Sequence, residues 1–275
     1  MNEMDNILKT AISAAVEGGN VLLEHANDFM KASQKESLRD IVTEIDKYAE
    51  KKIINILKKY NIDIPILSEE SKAALPDDCA NYWIVDPLDG TVNYINKIPS
   101  YAVSVAFMEN NKLSRGVVYS PTTNDLYYGA KNFGIYKNHM KITAKDKNPE
   151  ECLFAVAFSG KNYDPLSRND EFLMFQEVND SSRGCLRTGS AAMNLAYVAE
   201  GKLGGCWGKA NKIWDVAGGI LLAELAGAVV HYEVIDEKEK LVNYIVAVRS
   251  AFNFIGAPKN GVKNNKSFFK KDLSI

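Results

Sequence analysis

Trp83-Ile84-Val85-Asp86-Pro87-Leu88-Asp89-Gly90-Thr91 is the stretch on which the reading turns. Its first three residues are apolar and β-favouring, the composition of a buried strand. Two carboxylates follow, three residues apart, and the proline and glycine beside them predict a tight turn where the strand ends. Two ionised carboxylates held this close repel one another unless a cation stands between them. Oxygen donors suit a hard divalent ion, Mg²⁺ rather than zinc or copper. Gly90-Thr91 is predicted to open a short helix, whose unpaired N–H groups would receive an anion such as phosphate. Metal-holding carboxylates beside an anion-receiving turn are the parts needed for phosphoryl transfer to water. Read alone, Asp86 and Asp89 are also ordinary turn residues, since Asp before Pro or Gly is common.

Two further acidic sites lie where they would complete such a cluster. Glu69-Glu70 follows a short apolar run, Ile64–Leu67, and so sits at a strand end as Asp86 does. Asp215, in Trp214-Asp215-Val216-Ala217-Gly218-Gly219, begins an apolar helix and would serve there as an N-cap as well as a ligand. Around them the hydrophobic pattern alternates between two periods. A 3.6-residue stripe predicts helices over Asn6–Glu24 and Glu44–Tyr60, the second opened by a capping box at Thr43 and Asp46. The polar stretch Lys31–Asp40 between them reads as a mobile loop. Strand patterns follow at Val103–Met108, Leu113–Tyr119, Asp125–Gly129 and Gly134–Lys137 as an antiparallel meander. After about residue 146 strands and helices alternate, with helices near Asp170–Gln176, Ser190–Glu200 and Asp215–Ala226. Strands are expected at Leu153–Phe158, Ser182–Leu186, Gly205–Trp207, Val229–Val234 and Tyr244–Val248. A meander followed by strand–helix alternation predicts layered sheets and helices, an α/β class, rather than one barrel. Residues 1–255 read as a single domain in two halves, with the lysine-rich 258–275 as a loose tail.

Composition narrows the function classes. The 275 residues carry 33 basic and 35 acidic side chains, a net charge of −2, with 46% apolar and 25% charged residues. Near-neutral charge argues against a protein held to nucleic acid by phosphate neutralisation. The chain has four cysteines and no C-x-x-C pair, and only three histidines, so a zinc site lacks ligands at suitable spacing. An acidic, polar N-terminus and the lack of a run near 20 apolar residues predict a cytoplasmic protein with no membrane partner. Gly184-Cys185-Leu186-Arg187-Thr188-Gly189-Ser190 is a superficial P-loop in which Ser stands where the phosphate-reaching lysine belongs.

The ordered set of motifs resembles the inositol monophosphatase family. It comprises Asp40-Ile41-Val42-Thr43 with Asp46, Ser68-Glu69-Glu70-Ser71, Asp86–Thr91, Gly116-Val117-Val118-Tyr119, Gly189-Ser190-Ala191-Ala192 and Trp214–Gly219. The resemblance implies a layered αβαβα sandwich and a lithium-sensitive, Mg²⁺-dependent phosphatase using two or three ions and forming a homodimer. By family pattern Glu69, Asp86 and the Leu88 carbonyl hold a first ion that activates water. Asp86, Asp89 and Asp215 hold a second. Asp46 and Thr91 orient and deprotonate the nucleophilic water, and the Gly90 and Thr91 N–H groups take the phosphate. Asp89, Ser190, Ala191, Lys209 and Asp215 face the substrate, and Lys35 matches a lysine that approaches the site. A D-x-x-D spacing, in place of the D-x-D of aspartyl-nucleophile phosphatases, points to water as the nucleophile.

One position departs from the pattern. Members acting on inositol phosphates carry a Glu seven residues before the Trp-Asp aspartate, where this chain has Gly208. Lys209 and Lys212 instead bring cations nearby, which would favour a second phosphate. The implied substrate is therefore a small phosphorylated metabolite, an inositol monophosphate first. The alternatives are a 3′-phosphoadenosine 5′-phosphate or a fructose bisphosphate, with a non-catalytic binding protein on the same fold ranked below them.

Overall fold

The computed structural model describes residues 4–26, 38–71, 75–76, 78–159 and 165–256. Helix α1 (Asn6–Glu24) begins where the Asp5 side chain accepts the Leu8 N–H at 2.8 Å, and it buries Leu8, Ala11, Ala15 and Leu22. Helix α2 runs Leu38–Tyr60. Thr43 therefore lies inside a helix, and the expected capping box at Thr43 and Asp46 is corrected. The stripe through Ile45, Ala49, Ile53 and Leu57 was in phase, but the helix starts a turn and a half before the cap-like sequence. Of the predicted loop, residues 31–37 lie outside the described residues, as do Lys35 and the predicted tail.

A seven-stranded sheet follows in simple chain order, β1 (Ile66–Ser68), β2 (Tyr82–Asp89), β3 (Ala102–Glu109), β4 (Lys112–Ser120), β5 (Asp125–Ala130), β6 (Gly134–Lys137) and β7 (Met140–Lys141). β1 and β2 are parallel and all other neighbours antiparallel, the predicted meander. Short helix α3 (Thr91–Ile95) follows β2. The second sheet is ordered β11-β12-β10-β8-β9, from β8 (Phe154–Ala157), β9 (Cys185–Leu186), β10 (Gly205–Lys212), β11 (Val229–Asp236) and β12 (Leu241–Ala247). Helices α4 (Pro165–Asp180), α5 (Ala191–Glu200), α6 (Ile213–Leu225) and α7 (Arg249–Gly256) complete the chain. The strand pattern missed β7, and the helical pattern missed α7, both of them short.

Three apolar cores hold five layers together. One packs α1 and α2 on the first sheet, with Trp83, Val85, Val103 and Tyr119 beneath them. The next is filled by α5 and α6 between the two sheets. The last lies between the second sheet and helices α4 and α7. The apolar sequence of α6 follows from burial on both sides, since a helix between two sheets has no solvent face. Its approach to the first sheet is backbone to backbone. A Cβ on Gly116 would stand 2.7 Å from the Gly218 carbonyl oxygen, and one on Gly218 would stand 2.9 Å from Ser104 Oγ. Only glycine at both positions lets α6 lie this close, and that approach sets Asp215 over the end of β2. No helix among the described residues is long and apolar enough to cross a membrane.

Candidate metal centre

β2 does not end at Val85 as the turn reading required. It pairs with β3 through Asp86 opposite Ser104 and Asp89 opposite Ala102, with a bulge between. Three steps on β2 match two on β3, so Pro87-Leu88 accommodates one extra residue. In a regular strand residues three apart face opposite sides. The bulge restores the phase, and both carboxylates point to the α5–α6 side. Proline suits this place because a bulged residue gives up its ladder hydrogen bond. Leu88 N–H donates to Asp86 Oδ1 at 2.9 Å and steadies the bulge. Gly90 then turns the chain at φ +100°, a conformation that favours glycine, and starts α3.

Three elements deliver carboxylates to one point. β1 runs parallel to β2 with Ser68 opposite Val85, and the Glu69 N–H reaches the Val85 carbonyl at 3.3 Å. Glu69 therefore emerges beside Asp86. Asp215 comes from the first turn of α6, whose N-cap is Lys212, so its predicted alternative as the N-cap is corrected. One oxygen from each of Glu69, Asp86 and Asp215 lies within 4.8 Å of the others. Asp89 adjoins this trio, but one of its oxygens is committed to α5. Asp89 Oδ2 accepts the Ser190 hydroxyl at 2.5 Å and the Ala192 N–H at 2.8 Å. Ser190 is the N-cap of α5, and its hydroxyl oxygen also accepts Met193 N–H at 3.2 Å.

The electrostatics match this crowding. Burial, then the charges of Glu69, Asp215 and Asp89, push the Asp86 carboxyl well above its ordinary range. Asp215 is raised likewise by burial, Asp89 and Glu69, while the Lys212 N–H and charge oppose the shift. Asp89 is raised to about 6, with burial outweighing the hydrogen bonds from Ser190 and the α5 backbone. Asp46 faces the cluster from α2 and is raised to about 8 by burial and then by Glu70, Glu69 and Glu50. Its Oδ1 is buried with no hydrogen-bond partner among the described residues. Acids concentrated in a low-dielectric site form a donor set for a hard divalent ion. An all-oxygen set fits Mg²⁺.

The other expected residues distribute unevenly. Thr91 Oγ1 donates to the Leu88 carbonyl at 3.2 Å, so this hydroxyl is not bonded to Asp46. A carbonyl oxygen has two lone pairs, so Leu88 keeps capacity for a second partner. Gly90 and Thr91 sit at the start of α3, and Ser190 and Ala191 at the start of α5, both next to Asp89. Lys209 is only 2% exposed, and its charge acts on the buried Glu171 of α4. Lys212 Nζ binds the Glu239 carbonyl at 2.7 Å and its carboxylate at 3.3 Å, over the Trp214 ring. The cations near Gly208 thus have partners inside the fold. Gly208 itself is at a β10 bulge where a Cβ would meet the side-chain atoms Asn211 Oδ1 at 2.0 Å and Tyr244 Cε1 at 2.7 Å, so a glutamate there would require both side chains to move.

Two residues at the site went unread in the sequence. Asn93 donates from Nδ2 to the Ser100 carbonyl at 2.6 Å and the Thr188 carbonyl at 2.8 Å, tying α3 to the loop before α5. Glu50 is buried on α2 and holds both Ser68 and Ser71. Its signal was available, for it lies one turn from Asp46 in a stripe that is otherwise apolar there.

The profile of the inositol monophosphatase family matches residues 3–249. The Nus factor SuhB of Haemophilus influenzae is 34% identical over 230 residues, covering 82% of this chain and 85% of that protein. The Nus factor SuhB of Escherichia coli is 35% identical over 232 residues, with the same shares of 82% and 85%. Among solved structures, the extragenic suppressor protein suhB of Bartonella henselae superposes with a TM-score of 0.80 at 29% identity over 91% of this chain and 97% of that one. The inositol monophosphatase of Anabaena superposes with 0.77 at 28% over 90% and 92%.

Proposed function

Because the chain belongs to the inositol monophosphatase family, we propose that it hydrolyses a small phosphate monoester, an inositol monophosphate first, to the alcohol and inorganic phosphate. The observation that carries this reading is the convergence of Glu69, Asp86 and Asp215, with Asp89 alongside, on one buried point. Family members depend on Mg²⁺, and these carboxylates with the Leu88 carbonyl would hold it. When bound, the ion supplies charge neutralisation and a water acidic enough to attack at neutral pH.

The chain's own groups do the rest. Asp46, a buried carboxyl facing the cluster from α2, would take the proton of the attacking water in its ionised form. Thr91 shares the water's position, its hydroxyl swinging from the Leu88 carbonyl, and the Gly90 and Thr91 N–H groups receive phosphate oxygens. Asp89, fixed by Ser190 and Ala192, would face the leaving-group side, next to Ser190 and Ala191 at the start of α5. Occupied partners for Lys209 and Lys212 favour a monophosphate over the bisphosphate alternatives. A homodimer is the assembly proposed by family analogy.

A second reading draws on the relatives' names, which are those of Nus factors and stand in tension with the expectation of no nucleic-acid partner. Under it the fold serves binding, and catalysis is secondary. Phosphate release from inositol monophosphate, fructose bisphosphate, 3′-phosphoadenosine 5′-phosphate and a simple sugar phosphate separates the readings. Turnover of inositol monophosphate with Mg²⁺, abolished by chelator and inhibited by lithium, is expected. Folded protein that turns over none of the four contradicts the hydrolase reading.

A further inference from the structure

Glu69 and Glu70 leave β1 in a turn bounded by Ser68 and Ser71, and both boundaries are tied to a single oxygen. Glu50 Oε1 accepts the Ser68 hydroxyl and, at 3.0 Å, the Ser71 N–H. Glu50 is 6% exposed and lies between Ala49 and Ile53, both fully buried. A carboxylate in such a place costs stability unless its hydrogen bonds repay it, and its charge adds to an already acidic neighbourhood. An apolar residue would pack there without that cost. What Glu50 provides and an apolar residue cannot is an acceptor that grips the turn on both sides of Glu69.

We propose that Glu50 is a positioning residue for the cation site, acting through Ser68 and Ser71 to hold Glu69 in register with Asp86 and Asp215. The proposal rests on the reading above only in that the acid cluster takes a divalent cation. Partners one shell out fix the direction of ligand oxygens, and their loss typically weakens metal binding ~10–100-fold. A competing account, in which Glu50 acts through its negative charge alone, makes a different forecast for the isosteric amide. Glu50→Gln removes the charge but keeps an oxygen acceptor at the same place.

The test is titration of the full chain with Mn²⁺, read by the loss of the free-ion electron paramagnetic resonance signal, with circular dichroism to establish folding. Glu50→Ala is expected to weaken Mn²⁺ binding at least about tenfold, Glu50→Gln to stay within about threefold, and Ser68→Ala to fall between. The Mg²⁺ concentration for half-maximal phosphate release should rise in the same order. Glu50→Gln as weak as Glu50→Ala assigns the effect to charge and overturns the proposal, as does Glu50→Ala binding like wild type. Should Glu50→Ala not fold, Ser68→Ala decides, and wild-type affinity in that variant overturns the proposal. Wild-type protein that takes up no Mn²⁺ overturns the hydrolase reading and this inference together. Uptake by wild type with unchanged variants overturns this inference alone.

Discussion

Asp86 is 1% exposed and faces three other carboxylates, an arrangement no isolated protein stabilises for its own sake. Its cost is met by a bound cation, or by protons when none is present. The metal-free protein therefore binds more protons folded than unfolded, since the folded values of Asp89 (about 6) and Asp46 (about 8) exceed the ordinary value of 3.8. Stability then falls as pH rises between the unfolded and folded values. With chelator present, Tm should decline from about pH 5 to about pH 8, and added Mg²⁺ should recover more of it at the upper end. A chelated Tm that stays level or climbs over that range contradicts the account. Asp86→Asn replaces an acid that must either ionise among its neighbours or hold a proton with a side chain that needs neither, so at about pH 8 it should raise the chelated Tm by roughly 2–4 °C per kcal/mol relieved. Differential scanning calorimetry in chelator reads this, and a lower Tm would show that the repulsion is not the cost described.

At the scale of elements, the bulge in β2 and the glycine contact between β4 and α6 bring the acids together. Gly116→Ala forces a Cβ to within 2.7 Å of the Gly218 carbonyl, where only backbone can move. The change should cost about 1–3 kcal/mol, read as a lower urea midpoint with unchanged slope. It should also weaken Mg²⁺ binding, because lifting α6 from the sheet withdraws Asp215. A loss of stability with full Mg²⁺ affinity would separate the contact from the site. These elements show how far the sequence could be read. The meander and α1 were legible because each is a local pattern of period. The bulge was read as a turn, since proline and glycine signal both and only strand pairing across β3 tells them apart. α2 was started late because the sequence from Thr43 to Asp46 imitates a cap that the helix does not use. Glu50 escaped because its partners, Ser68 and Ser71, are distant in sequence, and Lys209 looked available because burial against α4 is a tertiary fact.

Over the whole molecule, five layers keep the acid cluster at the junction of the two sheets, reached from β1, β2 and α6 and closed by α5. Folding energy comes from the three apolar cores, which leaves the centre free to be electrostatically unfavourable until a cation arrives. A ligand that binds only the folded state should raise stability by mass action, so Mg²⁺ at about a hundred times its Kd should add ~2.7 kcal/mol. Chemical denaturation with and without Mg²⁺ checks this, and equal midpoints would count against a cation site. The extragenic suppressor protein suhB of Bartonella henselae shares this architecture.

In the proposed function Glu69, Asp86, Asp89 and Asp215 form one cation-dependent hydrolytic centre. Phosphate release from inositol monophosphate at saturating Mg²⁺, compared between wild type and Asp89→Asn of equal foldedness, tests it most directly. The account predicts turnover by wild type and a loss of at least about a hundredfold in the variant, since the change alters a proposed ligand rather than its support. Asp89→Asn that turns over substrate at the wild-type rate would contradict it.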